Sequence, residues 1–329
     1  MTIASSSPDD RPSAMTRTRG GLSAARQFGT VIGLVVLSLI LWALTPHFLT
    51  VSNLLNVAQQ TAINAVVAVG MTFVILSGGI DLSVGSILAL SGVVLGTLLQ
   101  DGQALPVALA LALGVGLVCG AANGALVSWG SLPPFIVTLG MMSVARGAAL
   151  VFTEGRPISG FDAGFRSLAT GSVWFIPGPV VIMIAVYAAA HLVLTRTTFG
   201  RYVYAIGGNE EATRLSGIPV RFHKTMIYGV SGLMSAVAAV ILTARLNSAQ
   251  PIAGIMYELD AIAATVIGGT SLMGGQGTLA GTLVGALIMG VLRNGLNLLG
   301  VSSFLQQIVI GAVIIGAVLI DTLLKRRAS

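Results

Sequence analysis

The sequence predicts an all-α, polytopic membrane protein. Of its 329 residues, 55% are hydrophobic and only 9% are charged, whereas soluble proteins contain about 25% charged residues. Apolar segments long enough to cross about 30 Å of hydrocarbon recur along the chain. Lys and Arg concentrate at the two ends and in one long loop, as membrane topology requires. We therefore interpret the net charge of +6 as orientation in a lipid bilayer and expect no nucleic-acid partner.

The amino-terminal segment, residues 1–27, is rich in Ser, Pro, Asp and Arg and lacks hydrophobic periodicity. This composition predicts a disordered cytosolic tail. The apolar run that follows ends in Leu44-Thr45-Pro46-His47, which is not the small-residue cleavage site of a signal peptide. We expect the first helix to be retained.

The predicted permease domain, residues 28–324, holds about ten transmembrane helices and is followed by a cytosolic tail at 325–329. Segments 83–99 and 260–272 are short enough to be broken or re-entrant. From an internal amino terminus, six crossings return the chain to the cytoplasm at the basic loop, and four more place the carboxyl terminus there. The expected spans are 28–44, 54–76, 83–99, 105–127, 135–152, 176–194, 225–245, 260–272, 278–292 and 304–323.

The longest polar loop, residues 195–224, contains five basic residues and is therefore expected in the cytoplasm. Within it, Asn209 suits a helix N-cap, Glu210 and Glu211 suit the positive end of the helix dipole, and Gly217 before Pro219 provides a stop. Such a short helix is marginal in water, since isolated helices need about 12 residues or more. It is expected to dock on a cytosolic partner. Loop 153–173 falls outside by parity, where it either meets an external partner or is merely solvated.

Two glycine-rich stretches indicate an internal repeat. Residues 78–85 (Gly-Gly-Ile-Asp-Leu-Ser-Val-Gly) match residues 268–275 (Gly-Gly-Thr-Ser-Leu-Met-Gly-Gly) at Gly-Gly, at Leu and at the final Gly. Paired Gly-interrupted apolar segments are typical of the central pathway of a transporter. The alternative is that these glycines only allow helices to pack closely.

The few ionisable groups in the spans do not suggest an enzyme. Asp81 fits a turn or cap role, which we favour over substrate contact, and Arg146 lies deep enough to need a carbonyl, carboxylate or aqueous partner. No metal site is expected, because the three histidines are far apart and lack carboxylates at ligand spacing. No phosphate loop is present, because neither Lys224 nor Lys325 follows a suitable glycine run. If ATP drives this protein, another chain must bind it.

Polar, uncharged side chains inside the spans suit a pathway for a neutral, hydroxyl-rich solute. The alternative for each is a hydrogen bond between helices. The residues that we predict to line the pathway are Asn64, Asp81, Ser83, Asn123, Phe135, Thr138, Thr270 and Ser271.

Four motifs, in this order, resemble the permease of ribose-type ABC sugar importers. They are residues 77–85 (Ser-Gly-Gly-Ile-Asp-Leu-Ser-Val-Gly), 133–140 (Pro-Pro-Phe-Ile-Val-Thr-Leu-Gly), 198–218 with Thr-Phe-Gly-Arg, Gly-Gly-Asn-Glu-Glu-Ala and Leu-Ser-Gly-Ile, and 268–275 with Gly-Gly-Thr-Ser and Gly-Gly. The resemblance runs from about residue 30 to the carboxyl terminus. The branch that carries branched-chain amino acids lacks the Gly-Ile-Asp-Leu-Ser-Val-Gly signature, which favours a sugar.

This resemblance implies a homodimeric permease in the bacterial inner membrane that imports a monosaccharide. A cytosolic ATPase would hold ATP and Mg, a periplasmic protein would deliver the sugar, and this chain would bind no cofactor and catalyse no reaction. The resemblance assigns ATPase coupling to Gly207, Gly208, Asn209, Glu210, Glu211, Ala212, Arg214, Leu215, Ser216, Gly217 and Ile218.

Two alternatives to this function stay open at the level of sequence. One is an ion-coupled secondary transporter, for which Asp81 is the plausible carboxylate. The other is an ABC permease for a different small polar solute, because relatives with the same signature carry other polyhydroxylated compounds.

Overall fold

A computed structural model describes residues 14–328, which are mostly helical. Four two-residue strands form two small antiparallel pairs: β1 (Ile158–Ser159) with β4 (Ser248–Ala249), and β2 (Ser172–Val173) with β3 (Ile176–Pro177). The helices are α1 (Ala14–Leu44), α2 (Val51–Leu76), α3 (Val84–Gln100), α4 (Leu105–Ser128), α5 (Pro134–Thr153), α6 (Ala163–Thr170), α7 (Gly178–Arg196), α8 (Thr198–Gly208), α9 (Glu210–Leu215), α10 (Val220–Leu246), α11 (Tyr257–Ile267), α12 (Leu279–Leu298) and α13 (Ser303–Ala328).

The described parts of the two predicted tails are helical. Residues 14–27 continue α1 instead of forming a disordered tail, because Pro12 lies before this helix and Ala, Met, Arg and Leu within it favour helix. Residues 325–328 likewise continue α13. Residues 1–13 and Ser329 lie outside the described residues.

Six described helices are long and apolar enough to cross a membrane, namely α2, α4, α5, α7, α10 and α12. Three shorter apolar helical stretches, Gly29–Leu44, Val84–Gln100 and Ser303–Gly316, accompany them. The expected span at 260–272 differs most, because α11 has 11 residues and ends at Ile267, a rise of only about 16 Å. The protein is thus an all-α polytopic membrane protein in which at least one expected crossing is a broken element.

Helices α2 and α10 occupy the centre of the fold, while α4, α5 and α7 turn exposed apolar faces outward. Glycines permit the closest packing, between α4 and α10. A β-carbon at Gly120 would overlap the carbonyl oxygen of Tyr228, and one at Gly232 would overlap that of Gly116. These two helices are therefore in backbone-to-backbone contact.

Loop 153–173 contains α6 and packs on the bundle, so it is more than the merely solvated loop that the sequence analysis allowed. Asp162 caps α6 by accepting a hydrogen bond from the backbone N–H of Gly164 at 2.7 Å. Phe161 and Phe165 meet edge to face, with ring centroids 5.5 Å apart, in an apolar cluster that includes Leu95. Burial of these rings fixes α6 on the end of the helical bundle.

The two glycine-rich stretches begin with the same type of helix cap, at positions offset by one residue from the sequence match. After α2, Gly78 has φ +80° and Gly79 donates its N–H to Val74 O; after α11, Gly269 has φ +89° and Thr270 donates to Thr265 O. Both helices thus end in the same αL cap. In these caps Gly78 takes the place of Gly269, whereas the sequence match pairs it with Gly268.

Candidate coupling surface and buried polar clusters

The predicted coupling helix is α9, and its ends form as the sequence indicates. Asn209 Oδ1 accepts a hydrogen bond from Ala212 N–H at 2.9 Å, and Gly217 ends the helix with φ +81°. Glu210 and Glu211 occupy the first turn, where their charge is favourable to the helix dipole. The short helix is thus specified locally at both ends.

Two ion pairs lie on α9. Glu211 accepts a hydrogen bond from Arg214 at 2.7 Å, but both side chains are more than 60% exposed, so the pair contributes little to stability. Glu210 is bonded at 2.7 Å to Lys224 of α10. This second pair joins the coupling helix to the first turns of a central helix.

A second helix that the sequence did not suggest, α8, fixes α9 to the protein. Gly207 lies directly against the carbonyl oxygen of Leu76 at the end of α2, and Gly275 donates its N–H to the same oxygen at 2.9 Å. Tyr204 donates its hydroxyl proton to Gly277 O at 2.8 Å, and burial raises the pKa of Tyr204, which keeps it a donor. The helix that leads into the predicted coupling helix therefore rests on the loops that follow α2 and α11.

Aromatic contacts connect α8 to both central helices. Phe199 of α8 stacks on Phe73 of α2 with ring centroids 6.2 Å apart. Tyr202 of α8 lies 4.7 Å from the ring of His223 on α10. A displacement of α8 would therefore disturb packing on both α2 and α10.

Large apolar side chains are exposed beside this segment. Leu215, the last residue of α9, is 79% exposed, and Met273, in the loop that supports α8, is 82% exposed. Phe222 at the start of α10 is also exposed. Exposed apolar groups around a short polar helix are typical of an interaction surface. The other residues predicted to couple to the ATPase lie in the same segment, 207–218; they are Gly208, Ala212, Ser216 and Ile218.

Several predicted pathway residues meet in one buried polar cluster. Asp81 is fully buried; its Oδ1 accepts hydrogen bonds from Ser83 N–H (3.0 Å) and Ser83 Oγ (2.6 Å), and its Oδ2 accepts one from Ser231 Oγ (2.8 Å). Asn123 Nδ2 donates to Ser83 Oγ at 2.8 Å. The cluster joins the loop after α2 to α4 and α10. Sequence reasoning missed Ser231, which lies 150 residues from Asp81 in an apolar helix.

The remaining predicted pathway residues are divided among other places. Thr138 is buried and donates to Pro134 O at 3.0 Å within α5, with a longer contact of 3.4 Å to Ile80 O. Phe135 is exposed on the same helix. Thr270 and Ser271 are buried in the loop below α8, where Ser271 Oγ accepts from Met273 N–H at 3.2 Å. These residues do not join the Asp81 cluster.

Asn64 belongs to a second buried cluster, which also holds an ion pair between α11 and α12. Asp260 of α11 is 2% exposed, and its Oδ2 accepts hydrogen bonds from Arg293 of α12 (2.7 Å) and from Asn64 Nδ2 of α2 (3.3 Å). Asp260 Oδ1 and Asn64 Oδ1 are buried without a hydrogen-bond partner. The pair joins α11 to α12, and Asn64 adds α2 to the cluster, so this arrangement of three helices could not be found from sequence spacing.

Arg146 has the carbonyl partners that its depth in α5 requires. Its Nη1 donates to Pro251 O and to Ala253 O, both at 2.7 Å. Both acceptors lie in the loop between α10 and α11, so this one guanidinium fixes the loop to α5.

A family model described as branched-chain amino acid transport system / permease component matches residues 53–318. The chain is a member of this permease family. The match covers both glycine-rich loops, the Asp81 cluster and the whole of α8 and α9.

Curated relatives within the family include sugar permeases. The chain is 51% identical to the ribose import permease protein of Escherichia coli strain K12 over 299 residues, which cover 89% of this chain and 92% of the relative. It is 51% identical to the ribose import permease protein of Bacillus subtilis strain 168 over 298 residues, 90% and 92% of the two chains. It is 40% identical to the D-allose transport system permease protein of E. coli K12 over 303 residues, 91% and 93%. No solved structure matches this chain. The resemblance inferred from the four motifs is confirmed.

Proposed function

We propose that this chain is the permease subunit of an ABC importer and forms the pathway by which a monosaccharide enters the cell. The observation that carries the proposal is the 51% identity to ribose import permeases over nearly the whole chain. The similarity to a D-allose permease supports the broader class of monosaccharides over one particular sugar.

The partners follow from this role. A cytosolic ATPase binds ATP and Mg, a periplasmic protein delivers the sugar, and two copies of the permease assemble in the bacterial inner membrane. The chain itself catalyses no reaction. The basic residues of loop 195–224 support a cytoplasmic position for α9, and the exposed Leu215 and Met273 offer the apolar contacts that an ATPase cleft would bury.

The mechanism starts with movement of α9 when the ATPase closes on ATP. Because Lys224 is paired with Glu210 and Gly207 lies against Leu76, the movement passes to the end of α2 and the start of α10. The loop after α2 then shifts against α10, where Ser231 holds Asp81. Opening of this buried junction changes the side of the membrane to which the pathway is accessible.

Co-purification tests the coupling surface. Tagged wild-type protein and Glu211→Arg are isolated from native membranes, and the accompanying proteins are identified by mass spectrometry. Asp101→Arg, at the exposed end of α3, is the matched control for charge reversal. We expect an ATPase with the wild type and the control and less of it with Glu211→Arg. Equal amounts with all three would refute the assignment of α9.

Uptake measurements test the substrate class. Cells that lack their own importers for D-ribose, D-allose and D-xylose receive this permease with its ATPase and binding protein. ATP-dependent accumulation of one or more of these labelled sugars is expected. If another small polar solute accumulates and none of the sugars does, the proposed substrate class is wrong. If uptake collapses with an uncoupler while ATP is held constant, the protein is an ion-coupled secondary transporter and not an ABC permease.

A further inference from the structure

A cavity of about 480 Å³ opens at the end of the bundle opposite the coupling helix. It lies between the start of α2, the end of α10 and the segment formed by α6 and the β2–β3 hairpin. Cavities that bind small molecules occupy about 300–1,000 Å³. Its polar and aromatic lining residues are Asn56, Gln59, Thr170, Ser172, Phe175 and Arg245.

The lining contains a single charged side chain, that of Arg245. Among the residues whose side chains the structure describes, no carboxylate pairs with Arg245, and its guanidinium makes one long hydrogen bond of 3.3 Å, from Nη2 to Asn56 Oδ1. A guanidinium has five N–H donors. Most donors of Arg245 are therefore available to a ligand.

The chemistry of the lining matches a neutral polyol. The amides of Asn56 and Gln59 and the hydroxyls of Thr170 and Ser172 supply both donors and acceptors. The exposed ring of Phe175 offers an apolar surface for the C–H face of a sugar ring. An anionic ligand would have only one cation to contact and would meet the amide and hydroxyl acceptors as well.

We propose that this cavity is an entry subsite, in which a monosaccharide released outside the cell binds before it reaches the closed centre of the permease. Arg245 and Asn56 provide the hydrogen bonds, and Phe175 covers one face of the sugar. The inference rests on the proposed function for the identity of the ligand. It adds a binding site in residues that the pathway prediction did not include.

Protection from labelling tests the subsite directly on the full-length permease. Leu55→Cys, at an exposed lining position that makes none of the proposed hydrogen bonds, is introduced together with Cys119→Ser and is labelled in sealed right-side-out vesicles with a membrane-impermeant maleimide. D-Ribose, D-allose and D-xylose are titrated separately. Asp101→Cys, exposed at the end of α3 and outside the lining, is the matched control. We expect at least one sugar to slow labelling at position 55 and none to affect position 101.

The same assay with Arg245→Ala measures the role of the guanidinium. Loss of charge-assisted hydrogen bonds should raise the sugar concentration for half-protection by about ten- to one-hundredfold. Arg245→Gln, which keeps a neutral donor, should fall between the wild type and Ala. A carboxylate ligand would instead lose binding equally in both variants, and that result would overturn the proposal.

Two further outcomes would also overturn it. No protection by any of the three sugars, in a permease that still supports ATP-dependent uptake, would remove the subsite and leave the proposed function intact. Protection only by the purified binding protein without sugar would identify the cavity as a protein docking site. Loss of uptake of all sugars with intact labelling protection would instead contradict the transport role and not the site.

Discussion

The carbonyl oxygen of Leu76 accepts a hydrogen bond from Gly275 N–H at 2.9 Å, and Gly207 lies against the same oxygen. One backbone atom at the end of α2 thus meets both the second glycine-rich loop and the base of the coupling segment. Contact this close requires glycine, because any β-carbon at position 207 would overlap the oxygen.

Gly207→Ala should therefore destabilise the junction. Forcing one methyl group into a packed site costs about 1–3 kcal/mol, so we expect a lower thermal unfolding midpoint in lipid nanodiscs. Gly208→Ala is the matched control for stability, because a β-carbon there meets no atom within 4 Å. Equal midpoints for the two variants would show that α8 is free to shift away from α2.

The buried pair of Asp260 and Arg293 should be strongly coupled. Arg293→Met removes the cation from a carboxylate that is 2% exposed, which is expected to cost about 3–5 kcal/mol. Adding Asp260→Asn to this variant removes the uncompensated charge and should restore most of the loss. The measurement is a double-mutant cycle of unfolding free energies, and additive effects in the cycle would contradict a direct interaction.

Asp81→Asn should fold and still support uptake. The amide oxygen can accept from both donors of Ser83, and Ser231 Oγ can in turn accept from the new amide N–H. Asp81→Ala leaves those donors without an acceptor and should cost about 1–3 kcal/mol for each buried group.

Uptake and thermal stability of both Asp81 variants are measured together. A well-folded Asp81→Asn protein without transport would favour a titrating carboxylate and hence ion coupling. If transport is retained, the role of Asp81 is structural: it accepts the hydrogen bonds that hold the loop after α2.

Leu215→Gln should weaken binding of the ATPase. Burial of a leucine side chain contributes about 1.5–3 kcal/mol, so loss of that contact should reduce affinity by about ten- to one-hundredfold. Leu215→Met keeps apolar area and is the matched control. Binding is measured with the purified ATPase and permease in nanodiscs, and unchanged affinity of Leu215→Gln would place the contact elsewhere.

Local signals were readable from the sequence. The cap at Asn209 and the stop at Gly217 depend on neighbouring residues, and both lie where the sequence indicates. The helix α8 was missed because its position depends on contacts with Leu76 and Gly275, which are far away in the chain. The internal repeat stays a prediction. The structure shows only that both glycine-rich stretches begin with an αL cap, and two adjacent glycines leave open to sequence comparison which of them takes positive φ.

The polar residues of the spans were harder to assign. Asp81 and Ser83 are close in sequence, so their contact is expected of a turn, whereas Ser231 comes from another helix. Asn64 and Asp260 are 196 residues apart, and only tertiary packing brings them together. A span such as 260–272 is equally ambiguous, because composition records apolar character but not where the helix ends.

The glycine contacts between α4 and α10 limit which parts of the protein can move independently. With Gly120 against Tyr228 and Gly232 against Gly116, the two helices are in backbone contact with no side chain between them. We therefore expect them to move as one unit, so that spin labels on their facing ends keep a constant separation through the transport cycle. Bending would then occur in the loops at their ends, 101–104 and 129–133 for α4 and 216–219 and 247–256 for α10.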